Sequence, residues 1–220
     1  MTVEIPKPHP SSYYVCNIVL RALCRFRVHG REHAPNESQP MIVTSNHLSY
    51  FDGLAALAGT RNNYPVATAV KYKDTFFMGN LLKIFAAPIW IQQNKPDRKA
   101  LKHLLGILEA NHPIAIAVEG TRSKTAALQK GLEGAAFIAR KANVPIVPWV
   151  FEGTEKILQH PRPRVNVYIG KPYRLPQNRT TLEDDADRMM CAMAALLPES
   201  YHGYYAGNPL IDEMREFVTE

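Results

Sequence analysis

Apolar residues recur along this chain with two distinct periods. Short runs at Met41 to Ser45, Val66 to Val70, Ile89 to Gln92, Ile114 to Val118, Ile146 to Phe151 and Arg164 to Ile169 have the length and β-branched content of strands. Between them, apolar residues spaced three and four apart predict helices over Asp52 to Ala58, Thr75 to Phe85, Asp97 to Ala110, Gly131 to Ala142 and Leu182 to Leu197. The segment from Asp97 to Ala110 is the clearest, with Leu101, Leu104, Leu105 and Leu108 on one face and Asp97 placed as its cap. The alternation predicts an α/β fold: an αβα sandwich around a mixed, largely parallel sheet. In such a sheet the ligand site forms in the loops beyond the strand C-termini.

Two other segments carry apolar faces. Tyr13 to Phe26 reads as an amphipathic helix, with Tyr14, Val15, Ile18, Val19, Ala22, Leu23 and Phe26 on one side and Asn17, Arg21 and Arg25 on another. Either it docks on the protein's own core, or it lies in a membrane interface with its arginines at lipid head groups. Residues 1–39 form an N-terminal segment carrying this helix, and residues 40–220 form the main domain. The segment Thr75 to Phe85 is rich in large apolar residues: Phe76, Phe77, Met78, Leu81, Leu82, Ile84 and Phe85. Core packing accounts for most of them, with an acyl-chain groove or bilayer contact as the alternative. The tail, with Tyr204 and Tyr205 ahead of an Ile211 to Val218 stretch, is read as a last helix against the sheet or another copy.

The candidate chemistry sits at two strand ends. Ser45-Asn46-His47-Leu48-Ser49-Tyr50-Phe51-Asp52 follows the first strand and sets an imidazole and a carboxylate five positions apart. A neutral histidine takes up a proton near neutral pH, and a carboxylate on its other nitrogen fixes the tautomer and stabilises the imidazolium. Glu119-Gly120-Thr121-Arg122-Ser123 follows the fourth strand and offers amides, a hydroxyl and a guanidinium suited to a phosphate. Each run alone is an ordinary strand-end loop; fold logic brings the two together. Ser49 lacks the G-x-S-x-G elbow of a nucleophilic serine and is read as a loop residue.

Four blocks in order resemble the glycerolipid acyltransferase family, which includes lysophosphatidic acid and glycerol-phosphate acyltransferases. They are Asn46-His47 to Asp52, Ala87-Pro88-Ile89-Trp90-Ile91-Gln92-Gln93, Val118-Glu119-Gly120-Thr121-Arg122-Ser123 and Val144-Pro145-Ile146-Val147-Pro148, with Lys130-Gly131 between the last two. The resemblance covers roughly residues 40–170 and makes 40–220 an acyltransferase domain. It implies His47 as general base, Asp52 as its orienting partner, and Lys71, Gly120, Thr121 and Arg122 around the acceptor's phosphate. Glu119 joins this group as a carboxylate expected to pair with an Arg or Lys and organise the loop. Amides near Gly120 are candidates for the oxyanion.

The implied reaction moves a fatty acyl group from acyl-CoA or acyl carrier protein to a lysophospholipid, foremost 1-acyl-sn-glycerol-3-phosphate, with no cofactor and no metal. Two departures bear on the acceptor: Ala87 replaces the opening glycine of the second block, and Gln93 stands where many members have Arg, with Lys95 nearby. Another lysophospholipid, a lyso-ornithine lipid or glycerol phosphate therefore stays open as acceptor. Outside this chemistry the alternatives are a thioesterase and a silent lipid-binding protein.

Composition narrows the partners. The 220 residues are 46% hydrophobic and 21% charged with a net charge of +6, a globular domain disposed toward anionic partners. Nucleic acid is not expected, since there is no long Lys/Arg run, RNA-binding aromatic motif or zinc-finger spacing. Cys16, Cys24 and Cys191 have no C-x-x-C arrangement and read as buried thiols in a reducing setting. The histidines show no metal spacing. No apolar stretch is long enough to span a bilayer, and no leader peptide is evident. The expected location is the cytoplasmic side of a membrane, bound peripherally.

Overall fold

The computed structural model describes residues 5, 9, 11–60, 64–85, 87–93, 97–178 and 180–219. Seven strands form one sheet: β1 (Arg25–His29), β2 (Ile42–Ser45), β3 (Val66–Ala69), β4 (Pro88–Ile91), β5 (Ile114–Ala117), β6 (Ile146–Glu152) and β7 (Arg164–Ile169). Their order is β1-β7-β6-β2-β5-β3-β4, and every pairing is parallel except β6 with β7. The helices are α1 (Ser12–Leu23), α2 (Asp52–Gly59), α3 (Phe76–Phe85), α4 (Arg98–Glu109), α5 (Glu133–Ala142), α6 (Leu182–Ala194) and α7 (Leu210–Val218).

The connections dictate the layers. From β2 the chain steps through α2 and then α3 toward β4; from β4 it returns through α4 and α5 toward β6. Right-handed crossovers running in opposite directions place their helices on opposite faces. Accordingly α1, α2 and α3 pack together, as do α4, α5, α6 and α7. Strands covered on both faces read as continuous apolar runs, and β6 is buried from Ile146 to Phe151. The α2 and α5 crossovers leave adjacent strands β2 and β5 in opposite directions, so the sheet's switch point lies between them.

The six expected strands and five expected helices of the main domain are all present, with boundaries moved by a few residues. Asp97 caps α4, accepting the Ala100 N–H at 2.9 Å. Two expectations change. The N-terminal segment does not stay helical to Phe26: α1 stops at Leu23, and Arg25–His29 becomes an edge strand pairing with β7. On α1 the buried side is Ser12, Cys16 and Leu20, while Tyr14, Val15, Ile18 and Leu23 are exposed. The helix docks on α2 through its narrower face and turns its larger apolar face outward. Phe76 and Ile84 of α3 are also exposed, and the side chains of Phe77, Met78, Leu81 and Phe85 lie outside those described. The start of α1 meets the end of α3, where Ser12 Oγ donates to the Ile84 carbonyl at 3.0 Å.

The tail is a working part of the core. Tyr205 is buried; its hydroxyl accepts the Gly131 N–H at 3.0 Å and donates to Asp187 at 2.7 Å, and α7 packs on α6. All three cysteines are free and buried, with burial holding the thiols above their usual pKa, Cys16 at about 11. Between α5 and α6 the Arg140 guanidinium clamps the fully buried Asp185 carboxylate, one nitrogen donating to Oδ1 at 2.9 Å, with Thr180 adding a bond at 2.8 Å. Arg140→Ala strips a buried carboxylate of its counter-charge, and we expect it to lower stability by about 3 kcal/mol, read from urea unfolding.

Candidate active site

The loops after β2 and β5 meet at the switch point and are bonded to each other through the main chain of His47. Its N–H donates to Glu119 Oε1 at 3.2 Å, and its carbonyl accepts the Ser123 N–H at 2.8 Å. One residue earlier, the Asn46 side-chain amide donates to the Phe151 carbonyl at 3.0 Å and accepts the Phe151 N–H at 2.8 Å. That pair continues the β2–β6 ladder past the end of the strand. His47 is thus held from both neighbouring strands before its side chain makes any contact.

The side chain completes a dyad. His47 Nδ1 lies 2.7 Å from Asp52 Oδ2. The same oxygen accepts the Leu48 and Ser49 N–H groups at 2.7 and 2.9 Å. Oδ1 receives the Thr154 hydroxyl at 2.5 Å and, at 3.4 Å, the Ser49 hydroxyl. A carboxylate ringed by donors only accepts, so Nδ1 carries the hydrogen and Nε2 of the neutral ring carries the lone pair. Asp52 is almost fully buried, while 35% of the His47 side chain is open to solvent. Ser49 is a loop residue as read, its Oγ accepting the Phe51 N–H at 3.0 Å.

Thr154 was not foreseen from sequence. It follows β6 through Gly153, whose φ of +81° and close approach to the Arg164 carbonyl, 2.2 Å from where a Cβ would sit, leave room for glycine alone. The turn delivers a buried hydroxyl to a carboxylate more than a hundred residues earlier in the chain. No local spacing records such a contact.

Glu119 is placed differently from expectation. Its partners are amides rather than a cation: the His47 N–H, the Gln129 N–H at 3.1 Å and the Gln129 side-chain amide at 2.9 Å. Gln129 also donates to the Thr121 carbonyl at 3.3 Å. Burial holds the Glu119 carboxyl above its ordinary pKa, against the pull of those hydrogen bonds and of His47. Gly120 follows with φ +67°, where a Cβ would meet Leu132 at 2.4 Å. Its N–H is committed to the Ala117 carbonyl at 3.0 Å, so Gly120's own amide is not free for an oxyanion.

Arg122 lies over the Tyr50 ring, 4.2 Å from its centroid, which brings the guanidinium to the loop that carries His47 and Asp52. Thr121 is exposed beside it. Lys71 is exposed on the single turn after β3, its ammonium 5.1 Å from the ring of Tyr72, at the same sheet edge but one strand further out. Gln93, at the position where the family resemblance implies an Arg, donates its side-chain amide to the Gly120 carbonyl at 2.5 Å. Lys95 lies outside the described residues. Among the described residues no group of three or more His, Cys, Asp or Glu is arranged to hold a metal ion.

A mixed, mostly parallel sheet covered by helices, with a histidine–carboxylate pair at its switch point, defines an α/β protein. The acyltransferase family model matches residues 25–152, and the chain belongs to that family. It is 26% identical over 132 residues to a chloroplastic 1-acyl-sn-glycerol-3-phosphate acyltransferase of Brassica napus, and 24% identical over 134 residues to one of Arabidopsis thaliana. These alignments cover 60% and 61% of the chain but 38% of each relative, so the chain spans well under half the length of either. The fold is similar to that of the crystal structure of the LPA acyltransferase PlsC from Thermotoga maritima. That match has a TM-score of 0.61 at 18% identity and covers 94% of this chain and 80% of that one.

The raised pKa of Glu119 has a testable sign. A carboxyl whose folded-state pKa exceeds its unfolded value withholds stability as pH rises through the folded value. Wild type should therefore lose urea stability relative to Glu119→Gln as pH climbs from the ordinary value of 4.5 toward neutrality. A difference that stays flat over that range would mean that burial does not raise the Glu119 pKa above its unfolded value.

Proposed function

We propose that the protein transfers a fatty acyl group from a thioester donor, acyl-CoA or acyl carrier protein, to the free hydroxyl of a lysophospholipid. The favoured acceptor is 1-acyl-sn-glycerol-3-phosphate, which gives phosphatidic acid. The observation that carries this reading is the dyad: Nε2 of His47 is left basic and accessible by a buried, donor-saturated Asp52.

In this mechanism Nε2 takes the acceptor's hydroxyl proton as the oxygen attacks the thioester carbonyl. The tetrahedral intermediate collapses by breaking the carbon–sulfur bond, and the imidazolium returns its proton to the thiolate. Asp52 stabilises the imidazolium through Nδ1, and the substrate's hydroxyl takes the place of a nucleophilic serine. Arg122, with Thr121, Gly120 and Lys71, serves the acceptor's phosphate, while Glu119 supports that loop from beneath. No step calls on a metal or cofactor.

One observation favours a second acceptor class. Gln93 brings a neutral amide, tied to the Gly120 carbonyl, to the loop that would face the head group. That keeps lysophospholipids with other head groups in contention within the same chemistry.

The outward apolar face of α1 is assigned to a membrane surface. Ile18 is 70% exposed and Phe76, on the neighbouring α3, is 90% exposed, with Arg21 and Lys83 on the same two helices. No described helix is long and apolar enough to cross a membrane, so this face is read as an interfacial contact.

Two experiments test these assignments. With long-chain acyl-CoA and lysophosphatidic acid, thiol release should require the lysolipid, and His47→Ala should lower kcat about a thousandfold. Arg122→Ala should mainly raise the acceptor KM, roughly 10- to 100-fold. Comparable kcat for wild type and His47→Ala would sink the general-base role, and lysolipid-independent release would indicate a thioesterase. Separately, Ile18→Asp should reduce sedimentation with anionic vesicles while leaving the circular dichroism spectrum unchanged; equal sedimentation would remove α1 from the membrane contact.

A further inference from the structure

The loops after β5 and β6 border an open cavity of about 670 Å³ whose wall includes residues 48–51, directly after His47. Across the sheet edge the β6 loop lies on one side of β2, and Lys71 and Gln93, after β3 and β4, lie on the other. The acceptor groups assigned above therefore leave this side unclaimed except for Arg122, which stands at the boundary.

The chemistry of the lining is uneven. Four basic side chains, Arg122, Lys124, Lys156 and His160, face a single carboxylate, Glu155. Lys124, Lys156 and His160 are exposed, and the Lys156 ammonium lies 3.3 Å from the Tyr201 hydroxyl and 3.7 Å from Glu155 Oε1, which holds it at the cavity wall. Glu155 makes a second demand. Its Oε1 accepts the Tyr201 hydroxyl at 2.8 Å, but its Oε2 is buried and has no hydrogen-bond partner among the described residues. A buried acceptor left unmet costs free energy that an entering donor recovers.

The occupant must therefore bring both an anion and an N–H or O–H donor. Lysophosphatidic acid does not do so here, because its free hydroxyl is the group that His47 must deprotonate and its phosphate dianion only accepts. A lysolipid whose head group carries its own donor would meet the demand, and a rise in acceptor KM is the outcome that would reveal it. A phosphopantetheine arm carries a phosphate and two amide N–H groups ahead of its thioester. It is also the part common to coenzyme A and acyl carrier protein.

We propose that this cavity binds the phosphopantetheine arm of the acyl donor, with its phosphate against Lys124, Lys156 and His160 and an amide N–H on Glu155 Oε2. The assignment rests on the acyl-transfer reading and divides the site: acceptor phosphate toward Arg122 and Lys71, donor arm along the β6 loop. The His47 ring then lies between the two substrates.

Calorimetry with 4′-phosphopantetheine and coenzyme A, beside steady-state kinetics with acyl-CoA and acyl carrier protein donors, tests it. In Lys124→Ala/Lys156→Ala, Kd for both probes and the donor KM should rise about tenfold with acceptor KM held within about twofold. Lys124→Ala alone should move in the same direction, which guards against loss of the Lys156 contact with Tyr201. Glu155→Ala should weaken phosphopantetheine while inorganic phosphate binds no worse. A rise in KM for either donor class supports the site and identifies which source supplies the arm. Unchanged donor KM in both, or a rise in acceptor KM instead, overturns it. If wild type binds phosphopantetheine through these residues yet transfers nothing, the cavity assignment survives and the proposed reaction falls.

Discussion

The arrangement depends on one buried carboxylate. Glu119 sits beneath the junction of two loops and collects N–H groups from His47 and Gln129, which come from separate segments of the chain. Burying an ionised group without partners is prohibitive, and the cost is met only where donors converge in fixed geometry. The requirement works in both directions. Glu119 needs those amides in place, and their positions define where the backbone of His47 and the turn toward Arg122 run. The Ser123 N–H on the His47 carbonyl closes the ring from the other side.

The sheet supplies the setting for this junction. Opposed crossovers from β2 and β5 part above the strand ends and leave a crevice free of helices. Short strands deliver their last residues there with little freedom: Asn46 is locked to β6, and the main chain of His47, the next residue, is tied across to the loop after β5. Asp52 belongs at once to the loop and to the first turn of α2, so its orientation is set by helix geometry as well as by the five donors around it. A dyad assembled this way loses little entropy when substrate arrives, because the ordering took place during folding.

What was legible in the sequence divides along physical lines. Strand and helix periods registered the main domain because each element buries a face, and burial writes itself as spacing. His47, Asp52 and Arg122 stood out because reactive side chains cluster within a few positions of each other. Thr154 and Gln129 did not, since each acts on a partner through space and their residue types are common in loops. β1 was hidden because Phe26 and Val28 alternate with Arg25 and Arg27 directly after a helix whose apolar spacing runs into them. For α1 the periodicity disclosed two faces but not the medium covering each. The small seam of Ser12, Cys16 and Leu20 fits against α2, and the bulkier face is left for another surface. Gln93 looked like a loss of charge, whereas its amide braces the Gly120 carbonyl.

The distribution of charge gives the site its direction. Negative charge lies below the surface, with Asp52 on the imidazole and Glu119 under its backbone, both shielded from solvent and therefore weakly screened. Positive charge lies at the rim, on Arg122, Lys124 and Lys156, where it is exposed. In the mechanism we propose, the buried carboxylates favour the imidazolium that forms when His47 takes a proton, at the moment the neighbouring oxygen and sulfur carry negative charge. Exposed cations act earlier, raising the local concentration of anionic substrates over a Debye length of about 8 Å at physiological salt. If the two sets were exchanged, cations beneath the ring would oppose its protonation and carboxylates at the rim would repel phosphate. The chain's net charge of +6 follows the same division: the acidic groups that matter most to the site are turned inward, and the surface around it is left basic.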